Sequence, residues 1–142
     1  FYNDGVVLYV WIALFSDDLS KIEISISDGT VSNRVMIGYT TTTQQVTGVV
    51  VSGGSTQAEM TYSASKNVTD YIKIALKYKE NDFELWVDGT LRATDTSGNV
   101  PASLSELAFD NGAGSNDFYG KCKDVRTYNT ILSDSELAEI TG

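Results

Sequence analysis

The stretch Tyr71-Ile72-Lys73-Ile74-Ala75-Leu76-Lys77-Tyr78 alternates in polarity, turns, and returns as Phe83-Glu84-Leu85-Trp86-Val87-Asp88-Gly89. Successive side chains of a β-strand point to opposite faces, so a period of two is the mark of a strand with one dry and one wet side. Ile72, Ile74, Leu76 and Tyr78 share one face while Lys73, Lys77 and Lys79 share the other, which is expected to meet solvent. Glu80-Asn81-Asp82 supplies one tight connection, and Asp88-Gly89 a second of the kind that tolerates positive φ. Three strands over 71–79, 83–87 and 90–94 are therefore predicted to form an antiparallel meander.

The same grammar extends over the chain. Short β-branched and aromatic runs separated by Gly, Asn, Asp, Ser and Thr predict further strands at 6–15, 21–27, 34–39, 45–52, 56–62, 104–109 and 118–128. The turns between them are short and polar, except for the eight-residue loop Asp110-Asn111-Gly112-Ala113-Gly114-Ser115-Asn116-Asp117, which is long enough to carry a function. One helix is expected at the end, where Ser133 and Glu136 form an S-x-x-E capping box and Leu132 is placed to staple onto Leu137. Leu137 and Ile140 give that helix an apolar side, and Asp134 and Glu136 suit its positive N-terminal end.

Composition excludes several functions. A chain of 142 residues, 42% hydrophobic and 20% charged with a single Pro, fits one domain with a real core. There is no His, which removes Ser-His-Asp and Cys-His catalysis and histidine metal ligation together. The single Cys, Cys122, has no partner for an intrachain disulfide and reads as a buried small hydrophobe. Trp11, in a strand apolar on both faces, reads as core or as a contact to a neighbouring subunit. A net charge of −9 opposes nucleic acid as a partner. No apolar run approaches the roughly 20 residues of a membrane-spanning helix, so membrane insertion is not expected. The start at Phe1, without Met or leader, suggests an excerpt of a longer chain.

Three segments carry a family likeness: Trp86-Val87-Asp88-Gly89-Thr90-Leu91, Phe118-Tyr119-Gly120-Lys121, and Asp124-Val125-Arg126-Thr127-Tyr128-Asn129 leading through Leu132-Ser133-Asp134 to Glu136-Leu137. Over residues from about 71 to 140 the chain resembles the concanavalin A-like lectin/glucanase superfamily, in its laminin G-like jelly-roll branch. The resemblance implies an all-β fold, an antiparallel jelly-roll β-sandwich with one short C-terminal helix. Within that family, Lys79-Glu80-Asn81-Asp82-Phe83, Ala93-Thr94-Asp95-Thr96-Ser97-Gly98 and the run from Leu104 to Asp110 look most like domains of bacteriophage tail fibres and other virion proteins.

Candidate sites follow from chemistry and likeness. Glu80-x-Asp82-x-Glu84 imitates the E-x-D-x-E signature of the superfamily's glucanases, but retaining hydrolysis needs carboxylates about 5 to 5.5 Å apart lining a cleft, and these straddle a turn. The acids are read as turn residues and the domain as non-catalytic. Trp86 and Tyr119, with Tyr39 and Tyr62 as further choices, offer flat surfaces on which a sugar ring stacks, and Asn111 and Asn116 offer hydrogen bonds to its hydroxyls. Trp86 faces away from Phe83, Leu85 and Val87, so either it is exposed or another segment covers it. Asp110, Asn116 and Asp117 bring oxygen ligands of the type Ca²⁺ takes, and the resemblance implies calcium at such loops. Asp124 and Arg126 are expected to pair locally.

The function expected is that of a virion-surface or extracellular domain that adheres to cell-surface glycans, working beside other virion subunits or as a homo-oligomer. Two alternatives stand next to it: a purely structural virion decoration or assembly domain, and an accessory carbohydrate-binding module of a secreted bacterial protein. The step from fold to function rests on analogy, since jelly rolls host many functions.

Overall fold

Ten strands and one helix make up the computed structural model, which describes residues 6–142. In chain order they are β1 (Val6–Leu14), β2 (Ile22–Ser27), β3 (Arg34–Tyr39), β4 (Gln45–Ser52), β5 (Ser55–Ser63), β6 (Ile72–Lys79), β7 (Asp82–Val87), β8 (Thr90–Asp95), β9 (Glu106–Ala108), β10 (Gly120–Tyr128) and α1 (Asp134–Thr141). They form two antiparallel five-stranded sheets, ordered β10-β1-β6-β7-β8 and β5-β4-β3-β2-β9. The predicted strands are all present, with ends shifted by a residue or two. The exceptions are the strand expected over 104–109, which shrinks to three residues, and that expected over 118–128, which begins at Gly120.

The meander β6-β7-β8 forms as the alternation requires, and its turn has Asp88 and Gly89 both at positive φ, 46° and 84°. The period-two pattern then sorts the interior. Leu8, Val10 and Ile12 of β1, Ile72, Ile74, Leu76 and Tyr78 of β6, and Phe83, Leu85 and Val87 of β7 face Ile22, Ile24 and Ile26 of β2, Val35 and Ile37 of β3, and Val46 and Val50 of β4. The sheets meet closely at Gly48, where a Cβ would stand 3.1 Å from Leu76 and 3.2 Å from Leu85, so a larger residue would overpack the centre.

The outer face of the β1-containing sheet is not the wet side that its lysines suggest. Helix α1 lies on it, and Val7, Tyr9, Ala75, Trp86, Leu132 and Leu137 form a second small core. The helix starts as its sequence specifies: Ser133 Oγ accepts from the Glu136 amide and Glu136 Oε1 accepts from the Ser133 amide, each at 3.2 Å, and Leu132 and Leu137 meet in that core. Its far end is pinned by Thr141, whose hydroxyl donates to the Leu137 carbonyl at 2.7 Å and accepts from the Gly89 amide at 3.0 Å.

Two expectations fail on this sheet, at Lys77 and at Cys122. Lys77 is buried, held by Asp82 at 2.7 Å and Glu84 at 3.4 Å, because an acid on the neighbouring strand neutralises it where it stands. Burial alone would lower the Lys77 pKa; the two carboxylates outweigh it and raise the value. Trp11 belongs to this outer face and is half-buried, outside the main core, because odd-numbered positions of β1 point away from the other sheet. Cys122 is exposed on the edge strand β10, where no further strand covers it. Asp124 and Arg126 pair as expected, at 2.7 Å.

Candidate functional site

The Asn/Gly/Asp loop between β9 and β10 folds back over the free face of the second sheet. Its base is closed by the Phe118 amide donating to the Phe109 carbonyl at 2.8 Å, and its middle by the Asn111 amide donating to Ser115. Asp110 Oδ1 accepts from the Gly112 amide at 2.7 Å, while Asn111 Oδ1 accepts from the amides of Ala113 and Ser115 at 2.9 and 3.2 Å. Gly112, at φ +93°, lets the loop touch β2, for a Cβ there would stand 2.9 Å from that of Ser27. Arg34 Nη1 donates to the Asn111 carbonyl at 2.8 Å, and Asn116 closes the far side, its carbonyl accepting from the Glu23 amide at 3.0 Å and its Nδ2 donating to Glu23 Oε2 at 3.2 Å.

These bonds settle what several expected residues do. Asn111 is a loop brace, its side-chain oxygen accepting two amides, and it lies outside the recess that Asn116 lines. Asp110 likewise turns its carboxylate onto its own loop and does not line a recess with Asn116 and Asp117. The expected donors Asp110, Asn116 and Asp117 are thus divided between the brace of the loop and the wall of a recess. Among the described residues no three His, Cys, Asp or Glu side chains are arranged to hold a metal ion.

Asn116, Asp117 and Tyr119 do come together. They line a recess of about 380 Å³ with Phe15, Ser16, Asp18, Ser20, Lys21 and Ile22. Phe15 and Tyr119 are 65% and 69% exposed, unusually open for large rings, and stand in a ring of amide, hydroxyl, carboxylate and ammonium groups. Phe15 follows β1 and Tyr119 precedes β10, strands that pair, so the ladder between Leu14 and Gly120 brings the two aromatics to one end of the sheet. Phe15, Asp18 and Lys21 were not singled out from sequence, although an aromatic at a strand end followed by the polar run Ser16-Asp17-Asp18 was a usable signal.

Lys21 also borders a second depression of about 330 Å³ over the free face of β2 to β5, lined by Met36, Thr47 and Val49 along the central strands and by Glu23, Arg34, Gln45 and Glu59 among others. Arg34 and Glu23 form an ion pair here at 3.5 Å with little exposure of either side chain. The two hollows adjoin through Lys21.

The other stacking candidates are spoken for. Trp86 is 6% exposed beneath α1, and its Nε1 donates to Glu84 Oε2 at 2.9 Å, so no sugar reaches it. Tyr39 borders the second depression but is buried, which holds its phenol well above the ordinary pKa, and the ring of Tyr62 is covered by the Arg92 guanidinium at 4.5 Å. The E-x-D-x-E acids are likewise engaged: Asp82 and Glu84 share the Lys77 ammonium on the helix-bearing sheet, and none of Glu80, Asp82 and Glu84 lines either hollow.

Two stacked jelly-roll sheets, a covering helix on one and an open face with an aromatic-rimmed recess on the other define a lectin-type sandwich. A family model described as the concanavalin A-like lectin/glucanases superfamily matches residues 2–138, and the chain belongs to that superfamily. Solved structures share the fold: CBM40 of the Ruminococcus gnavus IT-sialidase bound to α2,3-sialyllactose, at a TM-score of 0.78 and 18% identity over 99% of this chain and 84% of that one. A SAP-like pentraxin from Limulus polyphemus superposes with a TM-score of 0.71 at 10% identity, over 99% and 70%. A Bacillus licheniformis β-glucanase does so with a TM-score of 0.60 at 19% identity, over 75% and 51%. At these identities the likeness is one of fold. No curated protein matches the sequence.

Proposed function

We propose that this domain binds carbohydrate without cleaving it, through the recess between Phe15 and Tyr119. The observation that carries the reading is the pair of open aromatic rings set among Asp18, Lys21, Asn116 and Asp117. A sugar offers an apolar ring face and a rim of hydroxyls, and this lining offers the complement of both. The similarity to CBM40 supports the class, and the engagement of Asp82 and Glu84 with Lys77 supports binding over hydrolysis.

The charges in the recess, two carboxylates against one ammonium, favour a neutral, hydroxyl-rich saccharide over a sialylated one. The adjoining depression beyond Lys21 provides room for further residues of a glycan chain. The placement on an extracellular or virion surface, beside other virion subunits or as a homo-oligomer, is part of the proposal and rests on the sequence likeness alone.

A glycan array that includes neutral oligosaccharides and both sialyllactoses, followed by titration of the hits, tests the reading. Binding that Tyr119→Ala and Asn116→Ala weaken, with unfolding midpoints near wild type, is the expected result. Silence across the array, or hits indifferent to both substitutions, would overturn it and favour a structural decoration domain whose exposed Phe15 and Tyr119 are covered by neighbouring subunits.

A further inference from the structure

The opposite sheet carries an arrangement that the recess does not explain. Trp11 stands half-buried on β1 with Tyr71 edge-on to it, ring centroids 6.3 Å apart and planes at 72°. Two ammonium groups close on this pair. Lys73, directly across the ladder from Trp11, holds its Nζ 4.6 Å from the indole centroid. Lys123 places its Nζ 4.6 Å from the same ring and 4.1 Å from that of Tyr71.

Lys123 gets there through an irregularity. Along the β1–β10 ladder Trp11 pairs with Asp124 and Ile12 with Cys122, so Lys123 is the extra residue of a β-bulge. A bulge re-aims a side chain that regular pairing would direct elsewhere. Among the described residues, neither Lys73 nor Lys123 forms an ion pair with an Asp or Glu carboxylate, whereas Arg34, Lys66 and Arg126 each pair with one and Lys77 with two. Lys73 Nζ does donate to the Gly142 carbonyl at 2.7 Å.

In a chain of net charge −9, two ammonium groups gathered over one aromatic pair make a local concentration of positive charge. Ring contact orients each Nζ, and a charge-assisted hydrogen bond to an anionic oxygen is of the stronger kind. Each ammonium carries three donors, of which Lys73 spends one on Gly142. We infer that this cradle is a second ligand site, taking the carboxylate or sulfate of an acidic saccharide on the ammonium groups of Lys73 and Lys123, which the rings of Trp11 and Tyr71 hold in place. A sparsely charged glycan fits better than nucleic acid, because two cations balance one or two anionic groups, whereas a phosphate polymer would bring dense charge against a strongly acidic protein.

Affinity electrophoresis and tryptophan-fluorescence titration of the full chain test this. The probes each carry a single anionic group per disaccharide, hyaluronan fragments for the carboxylate and κ-carrageenan fragments for the sulfate, with neutral dextran as control and single-stranded DNA as the competing class. At low salt at least one acidic saccharide should retard the protein and perturb its fluorescence while dextran does not, and the stronger arm identifies the anionic group. Lys73→Gln and Lys123→Gln should each weaken binding about tenfold, and Tyr119→Ala should leave it unchanged, which separates this site from the recess. Lys123 is exposed, so Lys123→Gln serves if Lys73→Gln does not fold. No binding to either acidic saccharide, binding unchanged in a folded lysine variant, or equal affinity for DNA would overturn the inference.

Discussion

Replacing Trp86 by Phe separates a covered tryptophan from a ligand platform. The indole is 6% exposed and its Nε1 donates at 2.9 Å to Glu84, itself 8% exposed. Phe retains most of the packing against Leu137 but removes the donor, leaving Glu84 with Lys77 at 3.4 Å as its remaining partner. A hydrogen bond to a charged group contributes about 1.5–3 kcal/mol, and the smaller ring leaves a void that adds roughly 1 kcal/mol. The expected loss is about 3 kcal/mol in urea unfolding, or roughly 9 °C in midpoint for a chain of this size. A cycle with Glu84→Gln, which keeps an acceptor but no charge, should return a coupling energy of roughly 1–2 kcal/mol. Glycan binding by the folded fraction should equal wild type. A stability change below about 0.5 kcal/mol, within the range of an ordinary surface substitution, would refute the reasoning; so would lost glycan binding at unchanged stability, since either result would place Trp86 in the open.

Three further outcomes follow from named contacts. Asp28 accepts from the Thr30 hydroxyl at 2.6 Å, from Asn33 and from the Thr30 amide, bonds that hold its carboxyl below the usual range. Its folded value lies under the unfolded one, so its contribution is present above about pH 4 and lost as pH falls through the folded value; a carboxyl NMR titration of Asp28 at or above the ordinary range would contradict this. Gly112→Ala places a Cβ 2.9 Å from that of Ser27 at φ +93°, so the loop must lift, costing about 1–3 kcal/mol and weakening glycan binding through Asn116; unchanged stability and binding would show that the loop does not rest on β2. Added Ca²⁺ should leave the calorimetric midpoint where it is, because Asp110 turns its Oδ1 onto its own loop and away from the recess that Asn116 and Asp117 line; a rise with concentration would reveal a native-state metal site.

How much was legible before any coordinates follows the range of the interactions involved. Alternation at Ile72-Lys73-Ile74, the Asp88-Gly89 turn and the Ser133/Glu136 box are decided within a few residues, so strands, meander and helix could be read directly. Tyr119, Asn116 and Asp117 were also recognisable as candidates, because an open aromatic beside amide and carboxylate groups carries its chemistry wherever it lies.

Other roles depended on what crosses over each residue. Trp86 and Trp11 occupy outward positions on the same sheet, yet α1 lands on one and lysines from β6 and a bulge in β10 gather at the other. Lys77 looked wet until Asp82 and Glu84 paired with it across the ladder, and only the closed loop shows Asp110 bracing the Gly112 amide. Local alternation tells a side chain which way to point, and that information lies in two or three neighbouring residues. Whether water, a helix or another charge waits on that side is set by segments tens of residues away, and only the packed sheets bring them there.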